Sequence, residues 1–274
     1  MERGFREMVP FRISLDTVFP ALAVTWPSCT VAVHFLEGPM VEKQKYVLEL
    51  VPEEDPQWAL IRWDRGLEAR LPLTRLPPAF MEWQIRTRIR NLKFFLTGEG
   101  DHDFAVHTGY MATLGAPGGF PLNAAAKGIG LLPQGDFPSL TAEIEALVAR
   151  AVAQGEKETR EERLQFLLRL YETVPMDPRV LTTIELYGKA TWRNVLADPR
   201  CTVLFSSYRG LSYAVNGVVE IVLPGDPVYR YVVALHDLFH PPRGPRREYP
   251  AVYRIWACET WDKTPGPRAG ERLA

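Results

Sequence analysis

Apolar and polar positions alternate with two different periods along this chain. Runs with a period of two, bounded by turn residues, predict strands at 30–35, 46–51 and 58–63. They end in Glu37-Gly38-Pro39, in the proline-flanked acidic turn 52–56, and in Asp64-Arg65-Gly66, which reads as an antiparallel meander. A proline-rich link at Pro72, Pro77 and Pro78 closes it. From 79 to 96 the period becomes helical, with Met81, Ile85, Ile89, Leu92 and Leu96 on one stripe. The glycine-rich stretch 107–135 shows neither period. It reads as a long loop whose glycines at 115, 118 and 119 let backbone approach a ligand, or as a connecting segment. Two helices follow. One carries Leu140, Ile144, Leu147, Val148, Ala151 and Val152 and stops at Gly155. The other opens on a capping box at Thr159 to Glu162 and carries Leu164, Leu167, Leu168 and Tyr171. Together they predict a helical hairpin, a spacer or dimer arm.

The C-terminal part is patterned more sharply. Residues 178–205 predict strand, tight turn at Gly188, short helix and second strand. After a turn at Arg209-Gly210, the run 211–223 alternates through Leu211, Tyr213, Val215, Val219, Ile221 and Leu223, with Gly217 between them marking a bend or close backbone approach. A turn at 224–227 leads into a helix over 228–240, then a strand over 251–261 and a polar tail. Lys189, Thr191, Arg193 and Asn194 gather at the turn and start of the short helix. Cations and hydroxyls beside the free N–H groups of a helix N-terminus form an anion site. The competing reading is that Thr191 caps the helix and the charges face water.

Composition narrows the classes. The chain has 274 residues, 46% hydrophobic and 24% charged, with a formal net charge of −1, which favours neither nucleic acid nor an anionic membrane as partner. No apolar run is long enough for a membrane span and the N-terminus lacks a signal-peptide core, so a cytoplasmic protein is expected. Three cysteines without a CxxC argue against a disulfide framework or zinc cluster. Arg86, Arg88, Arg90 and Lys93 make the helix over 79–96 basic, which most simply is a solvated face.

Other chemistry is thinly represented. His236 and His240, spaced i, i+4, can share a metal if a third ligand comes from His102, His107, Asp237 or Glu248; otherwise they are a packed pair at a helix end. HDLFH is not the metalloprotease motif, GxSxG is absent, and no cysteine has a histidine nearby in sequence. No catalytic acid, base or nucleophile is assigned.

The order strand, short helix ending in Asp198-Pro199, strand, glycine-bent strand, helix, strand resembles the FMN-binding split barrels of the pyridoxamine-phosphate-oxidase type. The residues that carry it are Thr183, the run Lys189 to Leu196, Asp198-Pro199-Arg200, Val215 to Glu220, and the tail Thr264 to Gly270. The resemblance covers roughly 173–274. It implies a C-terminal antiparallel split β-barrel with a short inserted helix (173–274). With the helical hairpin (136–172) and N-terminal α+β region (1–135) read from the periodicity, the fold expected is α+β, a degenerate second barrel being an alternative for 1–135. The resemblance further implies a homodimer, or an internal pseudo-dimer, with a small-molecule ligand, FMN, held between two barrels. Thr183, Lys189, Thr191, Arg193 and Asn194 would hold the phosphate, and Trp192 would cover the ring unless it belongs to the core. Glu185 on the preceding strand departs from the family pattern, because an acid beside a phosphate is unfavourable unless it points away. The function expected is an FMN-dependent oxidoreductase of unknown substrate. The alternatives are a non-catalytic binding or assembly protein on the same frame, or a metal- or haem-binding variant.

Overall fold

The computed structural model describes residues 43–51, 57–115, 120–135, 137–244 and 248–274. The strand expected at 30–35 lies outside them. β1 (Tyr46–Val51), β2 (Trp58–Trp63) and β3 (Glu68–Pro72) form an antiparallel sheet in that order. The first two stand where the alternation put them; the third lies in what the sequence suggested was turn and link. α1 (Pro78–Thr97) follows, opened by a proline in its first turn and closed by Gly98 at φ 76°.

The second sheet has seven strands in the order β5-β4-β8-β9-β10-β7-β6, all antiparallel. Its members are β4 (Thr108–Leu114), β5 (Leu122–Gly128), β6 (Gly130–Pro133), β7 (Met176–Glu185), β8 (Arg200–Ser206), β9 (Ser212–Val222) and β10 (Ala251–Asp262). The two edges, β5 and β6, are separated in sequence by Ile129 alone. They are one strand that changes partner, pairing with β4 before Ile129 and with β7 after it. The sheet therefore closes on itself as a barrel with a split at the changeover. The fold is α+β with an antiparallel split β-barrel, as the sequence indicated, but the barrel begins at Thr108. The stretch 107–135, read as a loop, supplies three of its strands, so the sheet extends across the boundaries drawn at 136 and 173.

The reason that stretch hides its period is chemical. Along β5 the outward residues are Leu122, Ala124 and Ala126, and the inward ones are Asn123, Ala125 and Lys127. Apolar side chains face out and polar ones face in, against the usual rule for a barrel strand. On β4 both faces are apolar or small, so no contrast remains.

Both ends of the barrel are plugged. Phe80 and Trp83 of α1 pack on the inward rings of Phe205 and Tyr213. α4 (Ala190–Ala197) lies against Thr113 and Asn123. α2 (Phe137–Gln154) packs on α5 (Pro227–Phe239), with Phe137 edge-on to Tyr231 and Arg230 paired to Glu145. α3 (Arg160–Thr173) packs on α1. The helical pair is thus laid onto the body by two separate contacts and is not a protruding arm. Thr159 sits at the N-cap of α3, but its hydroxyl donates to the Gly155 carbonyl instead of capping the helix.

The basic helix α1 also departs from expectation. Arg88 is fully buried, donating to Gln84 Oε1 at 2.5 Å and to the Ile129 carbonyl at 2.7 Å. It bridges α1 to the residue where the barrel strand changes partner. Gly217 makes the close approach the sequence suggested: a Cβ there would meet the Trp256 carbonyl oxygen at 2.5 Å, and the ladder irregularity falls on the facing strand, between Ala257 and Glu259. Gly217→Val is expected to destabilise the fold by about 1–3 kcal/mol through overpacking, measured by urea unfolding.

Candidate functional site

The strand–turn–helix–strand unit predicted around Gly188 is present as β7, a turn with Gly188 at φ 60°, α4 and β8. It divides the candidate residues into two sets. Lys189, the N-cap residue of α4, and Arg193, four residues on, are exposed, and neither has an ion-pair partner among the described residues. Lys189 precedes the helix in non-helical backbone and Arg193 lies one turn in, so both cations are on the solvent side at the start of α4. The first turn of α4 has no side-chain cap. Thr191, expected as the cap, is instead buried and accepts from Asn123 Nδ2 at 3.1 Å. Asn194 is buried too, and its Nδ2 donates to Thr113 Oγ1 at 3.0 Å. These two side chains fasten α4 to the barrel mouth. Thr183 is buried on the inward face of β7, its hydroxyl without a hydrogen-bond partner among the described residues. Trp192 is half-buried and stacks parallel to the Tyr253 ring, 6.4 Å between centroids.

Inside the barrel lies a polar cluster that the sequence did not announce. Glu185 Oε2 is 2.8 Å from Lys127 Nζ and accepts from the Tyr253 hydroxyl at 3.0 Å. Its Oε1 accepts from the backbone N–H of Tyr187 at 3.2 Å and of Gly188 at 3.0 Å. The side chains of Lys127 and Glu185 are 10% and 3% exposed, so this is a buried ion pair. Burial alone would raise the Glu185 carboxyl, but the hydrogen bond and charge of Lys127, with the Tyr187 N–H and Tyr253 hydroxyl, hold it below the usual carboxylate range. Tyr253 is driven the other way, raised by burial and by the Glu185 charge, and stays a neutral donor. The acid that looked unfavourable beside a phosphate therefore points into the barrel, where it takes two N–H groups of the turn for itself. The signal for Lys127 was available as the inverted polarity of 122–128.

His236 and His240 do lie side by side at the end of α5, ring centroids 5.2 Å apart. Asp237 Oδ1 lies 3.4 Å from His236 Nδ1, but among the described residues no group of three His, Cys, Asp or Glu side chains is placed to hold a metal ion. His102 stacks on Phe94, and His107 is edge-on to Phe239, its imidazole held well below the ordinary range by burial and then by the Arg88 charge. The three-ligand metal reading is therefore not met by the residues proposed for it. Cys201 and Cys258 are both buried, and burial pushes the Cys258 thiol up to about 12, which removes it as a nucleophile. No described helix is long and apolar enough to cross a membrane.

No protein-family model and no curated protein matches this chain. Among solved structures, the chain is similar to HupZ of Group A Streptococcus, with 17% identity over 60% of this chain and 90% of that one, at a TM-score of 0.35. It is also similar to an F420 reductase, with 16% identity over 56% and 87% of the two chains, at a TM-score of 0.30. Neither likeness carries an argument about function at these values.

Removing one member of the buried pair leaves an uncompensated charge. Lys127→Met is expected to cost about 3–5 kcal/mol in urea unfolding, and Lys127→Met/Glu185→Gln less than Lys127→Met alone. Because the folded-state pKa of Glu185 is depressed, its contribution is present above the unfolded carboxylate range and is lost as pH falls through the folded value. Stability of the parent should therefore fall in acid more steeply than that of Glu185→Gln.

Proposed function

We propose that the protein is a split-barrel flavoprotein that binds FMN at the start of α4 and works as an oxidoreductase. The observation that supports this reading is the uncapped first turn of α4 flanked by two unpaired cations, Lys189 and Arg193. Orphan helix N–H groups and two charge-assisted donors are what a phosphate dianion requires. In this reading Lys189 and Arg193 hold the phosphate, and Thr191 and Asn194 act one step back, fixing α4 against β4 and β5. Trp192, backed by Tyr253, is the aromatic surface beside the site. Flavin, when bound, supplies hydride and electron transfer, and the chain supplies position and charge. FMN titration followed at the flavin absorption bands tests this. Binding is expected with the parent, and at least tenfold weaker binding with Lys189→Ala/Arg193→Ala; absence of binding to the parent rejects it.

A second reading, a non-catalytic binding or assembly protein on the same frame, is favoured by Glu185. Its carboxylate already engages the Tyr187 and Gly188 N–H groups and Lys127, which leaves fewer donors for a phosphate. Equal stability and assembly with and without FMN would select it.

The homodimer belongs to the same proposal. The outward faces of β4, β5 and β8 expose Tyr110, Leu114, Leu122 and Leu204 beside Ala124 and Ala126, a contiguous apolar strip. Ala124→Glu is expected to shift the protein from dimer to monomer in analytical ultracentrifugation without changing its helix and strand content.

A further inference from the structure

On the outer side of the barrel, away from Glu185, a cleft of about 620 Å³ lies between β6, β7, β9, β10, the link after β3 and the starts of α2 and α5. This volume is in the range of small-molecule sites. Its polar wall is built from Arg75, Arg179, Arg254, Asp177, Glu220 and Trp256. Alternation on β7 and β10 turns Val180, Arg254 and Trp256 outward, while Thr183, Glu185 and Tyr253 point into the barrel. The cleft is thus a separate site from the polar cluster of the interior.

The carboxylates of the cleft are already used. Asp177 takes a two-pronged contact from Arg179, Nε at 3.0 Å and Nη2 at 2.8 Å, and also accepts the Arg179 backbone N–H at 2.9 Å. Glu220 Oε2 accepts from Trp256 Nε1 at 2.8 Å and lies 3.2 Å from Arg254 Nε. Among the described residues, Arg75 and Arg254 keep donors that these two carboxylates do not take up. Arg75 is exposed at the rim, with no ion-pair partner among the described residues. Among the described residues, Arg254 has one carboxylate beside it, reached through Nε in a contact too poorly aligned to be a hydrogen bond, and no partner for its two terminal nitrogens. Guanidinium groups donate and cannot accept, so the group that completes them presents acceptors, and an anion is the strongest such partner. Leu132, Phe137 and Val228 add apolar lining, and Val180 lies directly across the ladder from Trp256. Trp256 carries the Arg179 and Arg254 guanidiniums at 5.8 Å and 5.7 Å from its ring, which fixes both heads at the polar wall.

We propose that this cleft is a binding site for a small organic anion, a carboxylate or phosphomonoester on an apolar ring or chain. Arg75 and Arg254 take the anion, and the apolar lining at Leu132, Phe137 and Val228 takes the apolar body. Arg179, locked on Asp177, and Glu220, locked on Trp256, are positioning residues that hold the donors in place.

Phenyl phosphate, 4-tert-butylbenzoate and neutral benzyl alcohol serve as probes in calorimetric titration of the full chain. The expected result is saturable binding of one or both anions at least tenfold tighter than the alcohol. Arg75→Ala, an exposed position, should weaken the anions several-fold with an unchanged melting temperature, and Arg254→Met should weaken them further. Lys189→Ala/Arg193→Ala should leave them unaffected, which separates this site from the start of α4. The proposal is overturned if neither anion binds, if the alcohol binds as tightly, if Arg75→Ala and Arg254→Met leave the anions unaffected, or if only the Lys189→Ala/Arg193→Ala variant loses them.

Discussion

The barrel depends on a charge pair that takes over where a backbone ladder ends. β6 pairs with β7 through Gly130 opposite Thr182 and Leu131 opposite Leu181. Continued in the same register, the chain places Lys127 opposite Glu185. There β5 has already turned to β4 and the two backbones no longer exchange hydrogen bonds. The ion pair spans the split instead, at 2.8 Å, with Tyr253 and two backbone N–H groups completing the carboxylate. A buried carboxylate is tolerable only when its oxygens are filled in this way. The same residue shapes the turn before α4, so closure of the sheet and the geometry of the candidate anion site share one side chain.

Arg88 performs a related task on the other side of the changeover. Its guanidinium donates to the carbonyl of Ile129, the residue between the two halves of the divided strand. A carbonyl that has left one ladder and not joined the next needs a donor, and a buried arginine from α1 supplies it. Burial and the loss of hydration lower the guanidinium pKa, yet the group remains a donor at any pH the fold survives. Two long cations, Lys127 and Arg88, thus hold the strand before and at its break; Arg88 comes from a helix face read as solvated and Lys127 from a stretch read as a loop or connecting segment.

That is also why the sequence was legible in some places and opaque in others. β8, β9, α5 and β10 were readable because their buried faces are mainly Val, Ile, Leu and aromatic, and β7 and α4 because their apolar residues are punctuated by Gly188 and Asp198-Pro199. The strands from 108 to 133 were not readable, because Asn123 and Lys127 face in while Leu122, Ala124 and Ala126 face out. A hydrophobic pattern reports burial by carbon, and this strand is buried by ion pairing and hydrogen bonds. The candidate cluster was legible only as neighbours in sequence: Lys189 and Arg193 are exposed, while Thr191 and Asn194, grouped with them, turn to Asn123 and Thr113, 68 and 81 residues away, which no local pattern reveals.

The helices α2 and α3 enter the chain at one rung of the barrel and leave it at the next. Pro133, the last residue before them, faces Met176, the first residue after them, across the β6–β7 pair. A detour whose two ends already meet adds no closure requirement to the strands on either side. In topological terms the helical unit is a graft. The barrel's connectivity is satisfied by any linker that bridges two neighbouring rungs, so this is the position where the frame can vary in size while its sheet stays the same.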